Sequence, residues 1–434
     1  MKIAVIGTGY VGLVTAVGLA EFGHTVIGAD KVAEKIEKIS RGDIPIYEPG
    51  LDDLLKSNLK KGNLTFSTDL HKTIRAADVI FVCVGTPQGD DGSADMSQIE
   101  EVSRLIAENL TGYKVVVEKS TVPVKTSSWI KRTISLYKKS EMDFDVASNP
   151  EFLREGSAVG DFLNPDRIII GVESDRARDM LAKIYEKAKD KIVITNIDTA
   201  ELIKHASNSF LAMKISYINL MANLCEKTEA DIEQVAKGMG LDPRIGGLFL
   251  KAGLGFGGSC FPKDLKALIK IGEDLGVEMS LLKETDKINA GRVRTFLDKV
   301  KKALWILKDK KIAILGLAFK PETDDIREAP SIKIIKELLS EGAILRLYDP
   351  EAQANMKELY PEDRVRLTYF RSAYEAAAGA NALLVCTEWK EFAGLDLKKI
   401  KDAMANPIIV DGRNIYKPAQ VKKLGFEYYS IGRK

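Results

Sequence analysis

One of the four cysteines lies among residues that could make it reactive. Cys260 follows a glycine-rich run in the segment GLGFGGSCFPKD, and glycines permit close approach of the backbone to a ligand. Lys263 could favour a thiolate, and Asp264 could orient a base, a water molecule or the lysine itself. Glycines also serve simple turns, but the pattern favours a nucleophile. The remaining cysteines have apolar neighbours and are interpreted as core residues: Cys83, Cys225 and Cys386.

A second glycine-rich segment is typical of a dinucleotide-binding turn. The run from Gly7 to Gly12, GTGYVG, follows an apolar strand pattern and precedes a helical one. Its glycines allow a tight turn and close approach to a pyrophosphate at a helix N-terminus. Asp30 ends the second strand at the distance where a carboxylate binds an adenosine ribose. Asp30 favours NAD over NADP because it would repel a 2′-phosphate, while Lys31 and Lys35 weaken that preference.

Four polar side chains could serve the same chemistry. Lys204 and Asn208 are four residues apart in a helical pattern and share one face, as residues of a site or of a solvated surface. Thr86 and Thr121 each follow an apolar strand, where ligands gather, although either is also an ordinary threonine before a proline-containing turn. The three histidines are scattered, which disfavours a histidine-based hydroxy-acid dehydrogenase and a metal site.

Composition limits the class of protein that positions these residues. A chain of 434 residues suggests about three domains. A composition of 45% hydrophobic and 29% charged residues is typical of globular proteins with packed cores. A net charge of +2 gives no reason to expect nucleic acid or an anionic membrane as partner. No apolar run is long enough for a spanning helix, and the first residues enter a strand pattern at once. We expect a cytoplasmic protein without a disulfide framework.

Strand and helix patterns place the candidate residues in two α/β regions with helices between them. One long helix is predicted from Asp198, as N-cap partner of Glu201, to about Lys237, and helical patterning resumes from Leu265 to about Leu304. Several strands are apolar at consecutive positions, as in a doubly wound parallel sheet. The predicted strands are Lys2–Ile6, Thr25–Ala29, Val79–Val84, Lys114–Val117, Asp145–Ala147, Arg167–Gly171, Lys191–Ile194, Lys311–Leu315, Ile344–Tyr348, Ala382–Cys386 and Pro407–Val410.

Seven segments occur in an order that resembles the UDP-glucose/GDP-mannose dehydrogenase family. They are GTGYVG, YEPGL, KSTVPV, SNPEFLREG, GFGGSCFPKD, GLAFK and DGRN, and they span essentially the whole chain. The resemblance implies three α/β or helical domains. These are an N-terminal Rossmann-like NAD domain at 1–197, a central helical dimerisation domain with the cysteine loop at 198–305, and a C-terminal Rossmann-like UDP-binding domain at 306–434.

The resemblance also implies a four-electron oxidation. UDP-glucose, two NAD⁺ and water would give UDP-glucuronate and two NADH. Cys260 would capture an aldehyde as a thiohemiacetal, and water would cleave the thioester that follows. Lys204 and Asn208 would stabilise oxyanions at the 6-position. Asp264 would be the general base, directly or through water that Thr121 helps hold, and Glu151 is a second acid/base candidate.

Binding residues follow from the same resemblance. Arg244 matches a residue that reaches substrate across a homodimer interface, and Arg413 is placed for a diphosphate or interface role. Lys263 would contact the phosphate or nicotinamide side of NAD or activate Cys260. The implied cofactor contacts are Gly7, Gly9, Val11, Gly12, Asp30, Lys35, Thr86, Thr121, Glu155, Lys263 and Arg327. The implied contacts to the nucleotide sugar are Glu151, Phe152, Leu153, Lys204, Asn208, Arg244, Phe249, Leu250, Lys251, Ala252, Gly253, Gly257, Lys320 and Arg413.

Three alternatives stay open at this point. Phe261 occupies the position where GDP-mannose enzymes have leucine. Ser259 occupies the position where enzymes of N-acetylated UDP-sugars usually have histidine. Both residues therefore favour UDP-glucose over these substrates. A two-electron β-hydroxyacid dehydrogenase would not need Cys260 or a third domain. A catalytically silent binding protein is disfavoured because every position that the chemistry requires is intact. The last domain has only Gly316 of a GxGxxG pattern, so no second NAD site is expected there.

Overall fold

The computed structural model describes residues 1–89, 92–139, 141–363 and 365–433. The chain divides into two compact units. Unit 1 comprises Met1–Ser207 and Lys266–Gly276, and unit 2 comprises Asn208–Leu265 and Val277–Lys434. The domain boundaries predicted after residues 197 and 305 stay a prediction. No helix within the described ranges is both long and apolar enough to cross a membrane.

A sheet of eight strands forms the centre of unit 1. Its strands are β1 Lys2–Ile6, β2 Thr25–Ala29, β3 Leu64–Ser67, β4 Val79–Val82, β5 Lys114–Glu118, β6 Phe144–Ser148, β7 Ile168–Gly171 and β8 Ile192–Thr195. Their spatial order is β3-β2-β1-β4-β5-β6-β7-β8. Neighbours are parallel except β6 and β7, which share one antiparallel pair. Ile3 and Val5 pack into one apolar core and Ala4 and Ile6 into another, so both faces of the sheet are covered.

Unit 2 contains a sheet of six parallel strands. They are β9 Lys311–Leu315, β10 Ile344–Tyr348, β11 Leu367–Tyr369, β12 Ala382–Val385, β13 Ile408–Asp411 and β14 Glu427–Tyr429. The order β11-β10-β9-β12-β13-β14 is that of a Rossmann sheet, and the first strands of unit 1 follow the same rule. The predicted α/β fold class with two Rossmann-like regions is therefore confirmed.

Helices connect the strands along the chain, and the stretch between β8 and β9 contains only helices among its regular elements. In unit 1 and the start of the connecting segment they are α1 Tyr10–Glu21, α2 Ala33–Ser40, α3 Leu51–Lys61, α4 Leu70–Ala76, α5 Ser97–Glu108, α6 Thr126–Tyr137, α7 Ala158–Leu163, α8 Asp175–Ile184 and a 3₁₀ helix at Glu186–Lys191. The helices that follow are α9 Ile197–Cys225, α10 Ile232–Gly240, α11 Phe261–Asp274, α12 Ser280–Leu304, α13 Pro330–Ser340, α14 Gln353–Leu359, α15 Ala373–Ala377, α16 Lys390–Ala393, α17 Leu397–Ala403 and α18 Pro418–Lys423.

The prediction of one helix from Asp198 to about Lys237 is wrong, because α9 ends at Cys225. Asp231 caps a new helix, α10, by accepting hydrogen bonds from the N–H groups of Glu233 and Gln234. The predicted pattern from Leu265 to Leu304 is likewise two helices. Gly276, with φ of 72°, lies in the left-handed region between α11 and α12.

The start of α9 also differs from the prediction. The Asn196 side chain, rather than Asp198, accepts the N–H of Thr199 at 2.8 Å. Glu201 does not complete a capping box with Asp198. Its carboxylate accepts the backbone N–H groups of Lys125 at 2.6 Å and Ser127 at 2.9 Å, at the start of α6. A side chain from one helix therefore caps another, which spacing along the sequence does not indicate.

Candidate active site

The glycine-rich turn after β1 fits a dinucleotide. A Cβ on Gly12 would lie 1.8 Å from the carbonyl oxygen of Gly7, and Gly7 has φ of 92° against the carbonyl of Cys83. These two glycines allow the chain to pack on itself at the turn. Gly9 faces open space and precedes α1, whose N-terminus has no side-chain cap. The first N–H groups of α1 are therefore available to an anion.

Asp30 lies beside this turn at the end of β2. One carboxylate oxygen accepts the Thr8 N–H and hydroxyl at 3.0 Å and the Lys35 ammonium at 2.7 Å, and the other accepts the Val32 N–H at 3.1 Å. Burial raises the pKa of Asp30, but these hydrogen bonds outweigh it and leave that pKa below its usual value. Lys31 instead pairs with Glu101. Asp30, Lys35, Gly7 and Gly9 line a cavity of about 340 Å³, which fits the adenosine end of NAD.

The two candidate threonines lie together at the ends of β4 and β5. The Thr86 hydroxyl donates to the carbonyl of Thr121 at 2.9 Å. Between them along the chain, the Ser120 hydroxyl contacts the carbonyls of Val82 and Val84. These bonds join the carboxyl ends of two neighbouring strands. The cofactor roles of both threonines stay predictions.

A buried ion pair joins Glu151, just after β6, to Lys204 of α9. The Lys204 ammonium donates to the carboxylate at 2.7 Å, and both side chains are 4% exposed. The second carboxylate oxygen accepts the Leu153 N–H at 2.6 Å. The Lys204 nitrogen also lies 5.5 Å from the ring centroid of Phe152, whose ring stacks on Arg167. Four predicted substrate residues of unit 1 are therefore in one cluster, with the acid and base groups shielded from water.

Behind this pair is a buried hydrogen-bond network that the sequence reasoning missed. The Asn149 side-chain oxygen accepts the Lys119 ammonium at 3.0 Å and the Tyr185 hydroxyl at 2.6 Å, and its amide donates to the carbonyl of Ile169 at 2.7 Å. Asn149 precedes Glu151 by two residues, so the network fixes the segment that carries Glu151. Lys119 stands in the KSTVPV motif, but nothing in its neighbours along the chain indicates that its amine is buried.

The Lys119 amine should make stability depend on pH. Burial lowers the pKa of Lys119 to about 8, against about 10.4 in an unfolded chain. Between these values the unfolded chain binds more protons, so the free energy of unfolding contributed by this group rises with pH. We expect Lys119→Met to remove a rise of roughly 2 kcal/mol between pH 8 and pH 10. Urea denaturation of both proteins across this range measures the difference, and parallel pH curves would refute the assignment.

In unit 2, Cys260 is the last residue before α11. It is half-buried, and its carbonyl accepts the N–H of Asp264 in the first turn of the helix. The Ser259 hydroxyl lies 3.5 Å from the sulfur. The N-terminus of a helix carries partial positive charge, which favours an anionic sulfur. Cys260, directly before the helix, is thus suited to act as a thiolate nucleophile.

Asp264, one turn into α11, is fully buried and held from two sides. One carboxylate oxygen accepts the Asn208 amide of α9 at 2.7 Å. The other lies 3.0 Å from the Lys263 ammonium. The lysine is thus one of the groups that Asp264 holds, as the sequence allowed, and the choice between an NAD contact and activation of Cys260 stays open for Lys263. The base function of Asp264 stays a prediction.

The glycines before Cys260 allow the chain to pack closely on itself. A Cβ on Gly257 would lie 2.3 Å from the carbonyl oxygen of Glu328, and one on Gly258 would lie 2.7 Å from the Phe319 ring. A side chain at either position would therefore clash with the chain itself, and the substrate contact of Gly257 stays a prediction. The Gly258 N–H donates to the carbonyl of Arg327 at 2.8 Å, which fixes the loop just before Cys260.

The Arg413 side chain forms hydrogen bonds to the backbone of unit 2. Its guanidinium donates to the carbonyls of Cys386 at 2.8 Å, Gly255 at 3.1 Å and Phe319 at 3.1 Å, and it pairs with Glu388. The side chain is largely buried and lies in the wall of a cavity of about 550 Å³. Three other predicted substrate residues line the same cavity: Leu250, Lys251 and Ala252. Arg413 therefore joins the cysteine loop to two strand ends, and its contact to a diphosphate stays a prediction.

The remaining predicted residues are exposed or half-buried. Arg244 is 87% exposed and pairs with Asp242. Arg327 pairs with Asp325 in the same way. Three others are half-buried: Glu155, Phe249 and Lys320, whose ammonium lies over the ring of Phe319. Lys251 is exposed. Among the described residues, no group of three or more His, Cys, Asp or Glu side chains is arranged to hold a metal ion.

Comparison with known proteins accounts for this arrangement. Residues 1–189 match the NAD-binding domain of the UDP-glucose/GDP-mannose dehydrogenase family, residues 198–291 match its central domain and residues 313–418 match its UDP-binding domain. The chain is 48% identical over 440 residues to the UDP-glucose 6-dehydrogenase of Rhizobium meliloti (strain 1021), and the match covers 100% of both chains.

Solved structures agree with the sequence comparison. A UDP-glucose dehydrogenase from the hyperthermophilic archaeon Pyrobaculum islandicum has a TM-score of 0.93 and 36% identity, covering 100% of this chain and 98% of that one. A UDP-D-ManNAc dehydrogenase from Pyrococcus horikoshii has a TM-score of 0.88 and 30% identity, covering 100% and 99%. The chain therefore belongs to the UDP-glucose/GDP-mannose dehydrogenase family and is an NAD-dependent dehydrogenase.

Proposed function

We propose that this chain oxidises the 6-hydroxymethyl group of UDP-glucose to the carboxylate of UDP-glucuronate, with Cys260 as covalent nucleophile. The observation that carries the proposal is the position of the Cys260 thiol before α11, with the buried Asp264 carboxylate one turn further along. Relatives named for UDP-glucose, matched over the whole chain, support the substrate. The serine at position 259 favours UDP-glucose over N-acetylated UDP-sugars, and the phenylalanine at position 261 favours it over GDP-mannose.

The four-electron change explains why a cysteine is needed. When bound, NAD accepts one hydride at each of the two oxidation steps, held by the α1 turn, Asp30 and Lys35. After the first oxidation, the Cys260 sulfur adds to the aldehyde carbon and forms a thiohemiacetal, so the intermediate cannot leave. The second oxidation gives a thioester. Water then attacks the carbonyl carbon, the carbon–sulfur bond breaks, and the Cys260 thiolate and the carboxylic acid are released.

The two buried carboxylates, Asp264 and Glu151, and their partners transfer protons and stabilise the charge that develops on the substrate. Asp264, held by Asn208 and Lys263, is the base that activates the hydrolytic water. Lys204 donates to the 6-oxygen as it becomes anionic, and Asn208, one turn further on α9, donates an amide N–H. Glu151 balances the charge of Lys204 and is the second acid/base candidate. Thr121 helps hold the water.

We further propose a cytoplasmic homodimer in which the central segment forms the interface. Exposed apolar side chains follow one stripe of α9, and such stripes are typical of protein interfaces: Phe210, Tyr217, Leu220 and Leu224. The exposed Arg244 fits the role of a residue that reaches the partner's substrate. We keep the proposed domain limits at 1–197, 198–305 and 306–434. The UDP-sugar contacts proposed for the last domain are Lys320 and Arg413, and those for the central domain are Phe249–Gly253 and Gly257.

The stoichiometry of NADH tests the function. We expect two NADH for each UDP-glucose consumed with excess NAD⁺, because one carbon loses two hydrides before release. Absorbance at the NADH band and quantification of UDP-glucuronate measure both quantities. One NADH per sugar would refute the covalent four-electron scheme. Two NADH from GDP-mannose or an N-acetylated UDP-sugar, with none from UDP-glucose, would keep the chemistry and refute the substrate.

A further inference from the structure

Three side chains from α9 and α12 bind the backbone of the loop that leads to Cys260. Asn219 of α9 accepts the Gly253 N–H at 2.8 Å, and Arg292 of α12 donates to the Gly253 carbonyl at 3.1 Å. Asn289 of α12 accepts the Phe256 N–H at 2.9 Å and donates to the Phe256 carbonyl at 3.0 Å. We call Asn219, Asn289 and Arg292 the loop clamp. No resemblance assigned any of them a role.

The clamp reaches Cys260 through an aromatic contact. The ring of Phe256 packs edge-on against the ring of Phe261, with centroids 5.9 Å apart. Phe261 directly follows Cys260 and is the first residue of α11. A shift of Phe256 therefore moves the start of the helix that presents the sulfur. Because side chains in a packed interior transmit displacement, the clamp sets where the thiol lies.

A contribution to stability does not explain why an arginine is buried at position 292. It is 1% exposed, and the ion pairs of the described residues do not include it. Its other hydrogen bonds go to neutral oxygens, the carbonyl of Asn219 and the side chain of Asn223. Burial lowers the pKa of Arg292. Well-packed apolar residues commonly stabilise a core as well as or better than buried charges do. What arginine supplies here is a rigid planar fork that bonds several oxygens at once.

We propose that Arg292, together with Asn219 and Asn289, positions the Cys260 loop for catalysis. The hydrogen bonds of Arg292 go to Gly253, Asn219 and Asn223, so it is proposed as a positioning residue rather than a catalytic one. This inference rests on the proposed role of Cys260 as nucleophile. It predicts that loosening the clamp changes the reactivity of the thiol in the folded protein as well as turnover.

The test compares Arg292→Met, Asn289→Ala and Arg292→Lys in the full chain with NAD present. We expect Arg292→Met and Asn289→Ala to lower kcat by between about 10- and 100-fold, because small displacements of a reacting group have effects of this size. The KM for NAD should be unchanged. The rate of Cys260 alkylation by iodoacetamide, followed on the cysteine peptide by mass spectrometry, should change at least threefold. Arg292→Lys should recover part of both losses, since it restores one donor.

Ser216→Ala is the matched control. The Ser216 hydroxyl of α9 donates to the Thr285 carbonyl of α12 at 2.8 Å, so it joins the same helices without touching the loop. We expect this variant to lower the melting temperature and leave alkylation unchanged. If the clamp variants also lose only stability, with wild-type alkylation and kcat, the proposal is wrong. The alkylation rate does not require turnover of any sugar, so it decides the positioning role even if UDP-glucose is not the substrate.

Discussion

Replacement of Cys260 by serine is expected to lower turnover of UDP-glucose by roughly 10³-fold or more. A serine hydroxyl at the start of α11 is not ionised at neutral pH, so it captures the aldehyde poorly. When water cleaves the bond to the enzyme, an ester must release an alkoxide, which is much more basic than the thiolate that a thioester releases, so hydrolysis is slower. The first oxidation does not need the sulfur. We therefore expect Cys260→Ser to release NADH in a burst of at most one per sugar and then stall. Rapid mixing and NADH absorbance measure the burst and the steady rate.

Cys225→Ala is the control for this prediction. Cys225 ends α9 in an apolar core, and burial raises the pKa of its thiol, so it is an unreactive cysteine of the same unit. The variant leaves a small cavity and should lower the free energy of unfolding by about 1 kcal/mol, with two NADH per sugar retained. Steady turnover by Cys260→Ser at a rate near that of wild type would remove the covalent scheme and favour a hydrate as the intermediate.

The sequence predicts those parts of the fold that depend on local pattern. Consecutive apolar residues in β1, β4 and β5 indicate strands with both faces covered, and they are confirmed in that position. The short strands β3, β11 and β14 were missed because, unlike the equally short β4, they contain no run of three apolar residues. The break between α9 and α10 was also missed. It depends on the Asp231 cap, one polar residue in a stretch of good helix formers.

The candidate site shows a similar division. Motifs identified Cys260, Lys204 and Glu151, because the chemistry requires those residue types. They did not identify Lys119 or Arg292, since a lysine or arginine has the same letter whether it is solvated or buried. Only the fold shows that these side chains bond to Asn149 and to the Gly253 carbonyl. The loop glycines show the same limit, because a missing Cβ in the sequence does not indicate whether the chain or a ligand lies beside it.

The buried pair of Lys204 and Glu151 should respond differently to one substitution and to two. Lys204→Met removes the cation and leaves a carboxylate buried beside Phe152. Breaking a buried pair in this way costs about 3–5 kcal/mol, so we expect a large fall in the free energy of unfolding. Turnover should fall by at least about 100-fold, because the developing 6-oxyanion loses its positive partner. Urea denaturation and steady-state kinetics measure the two effects separately.

The double variant Lys204→Met with Glu151→Leu separates structure from chemistry. It removes both charges from the same buried volume, so no ion is left without its partner, and most of the lost stability should return. Activity should stay as low as in Lys204→Met, because neither the donor to the 6-oxygen nor the acid/base candidate is present. If the double variant regained turnover along with stability, the pair would be a packing element and the oxyanion role of Lys204 would be wrong. Stability that recovers while turnover does not is the result that a catalytic pair requires.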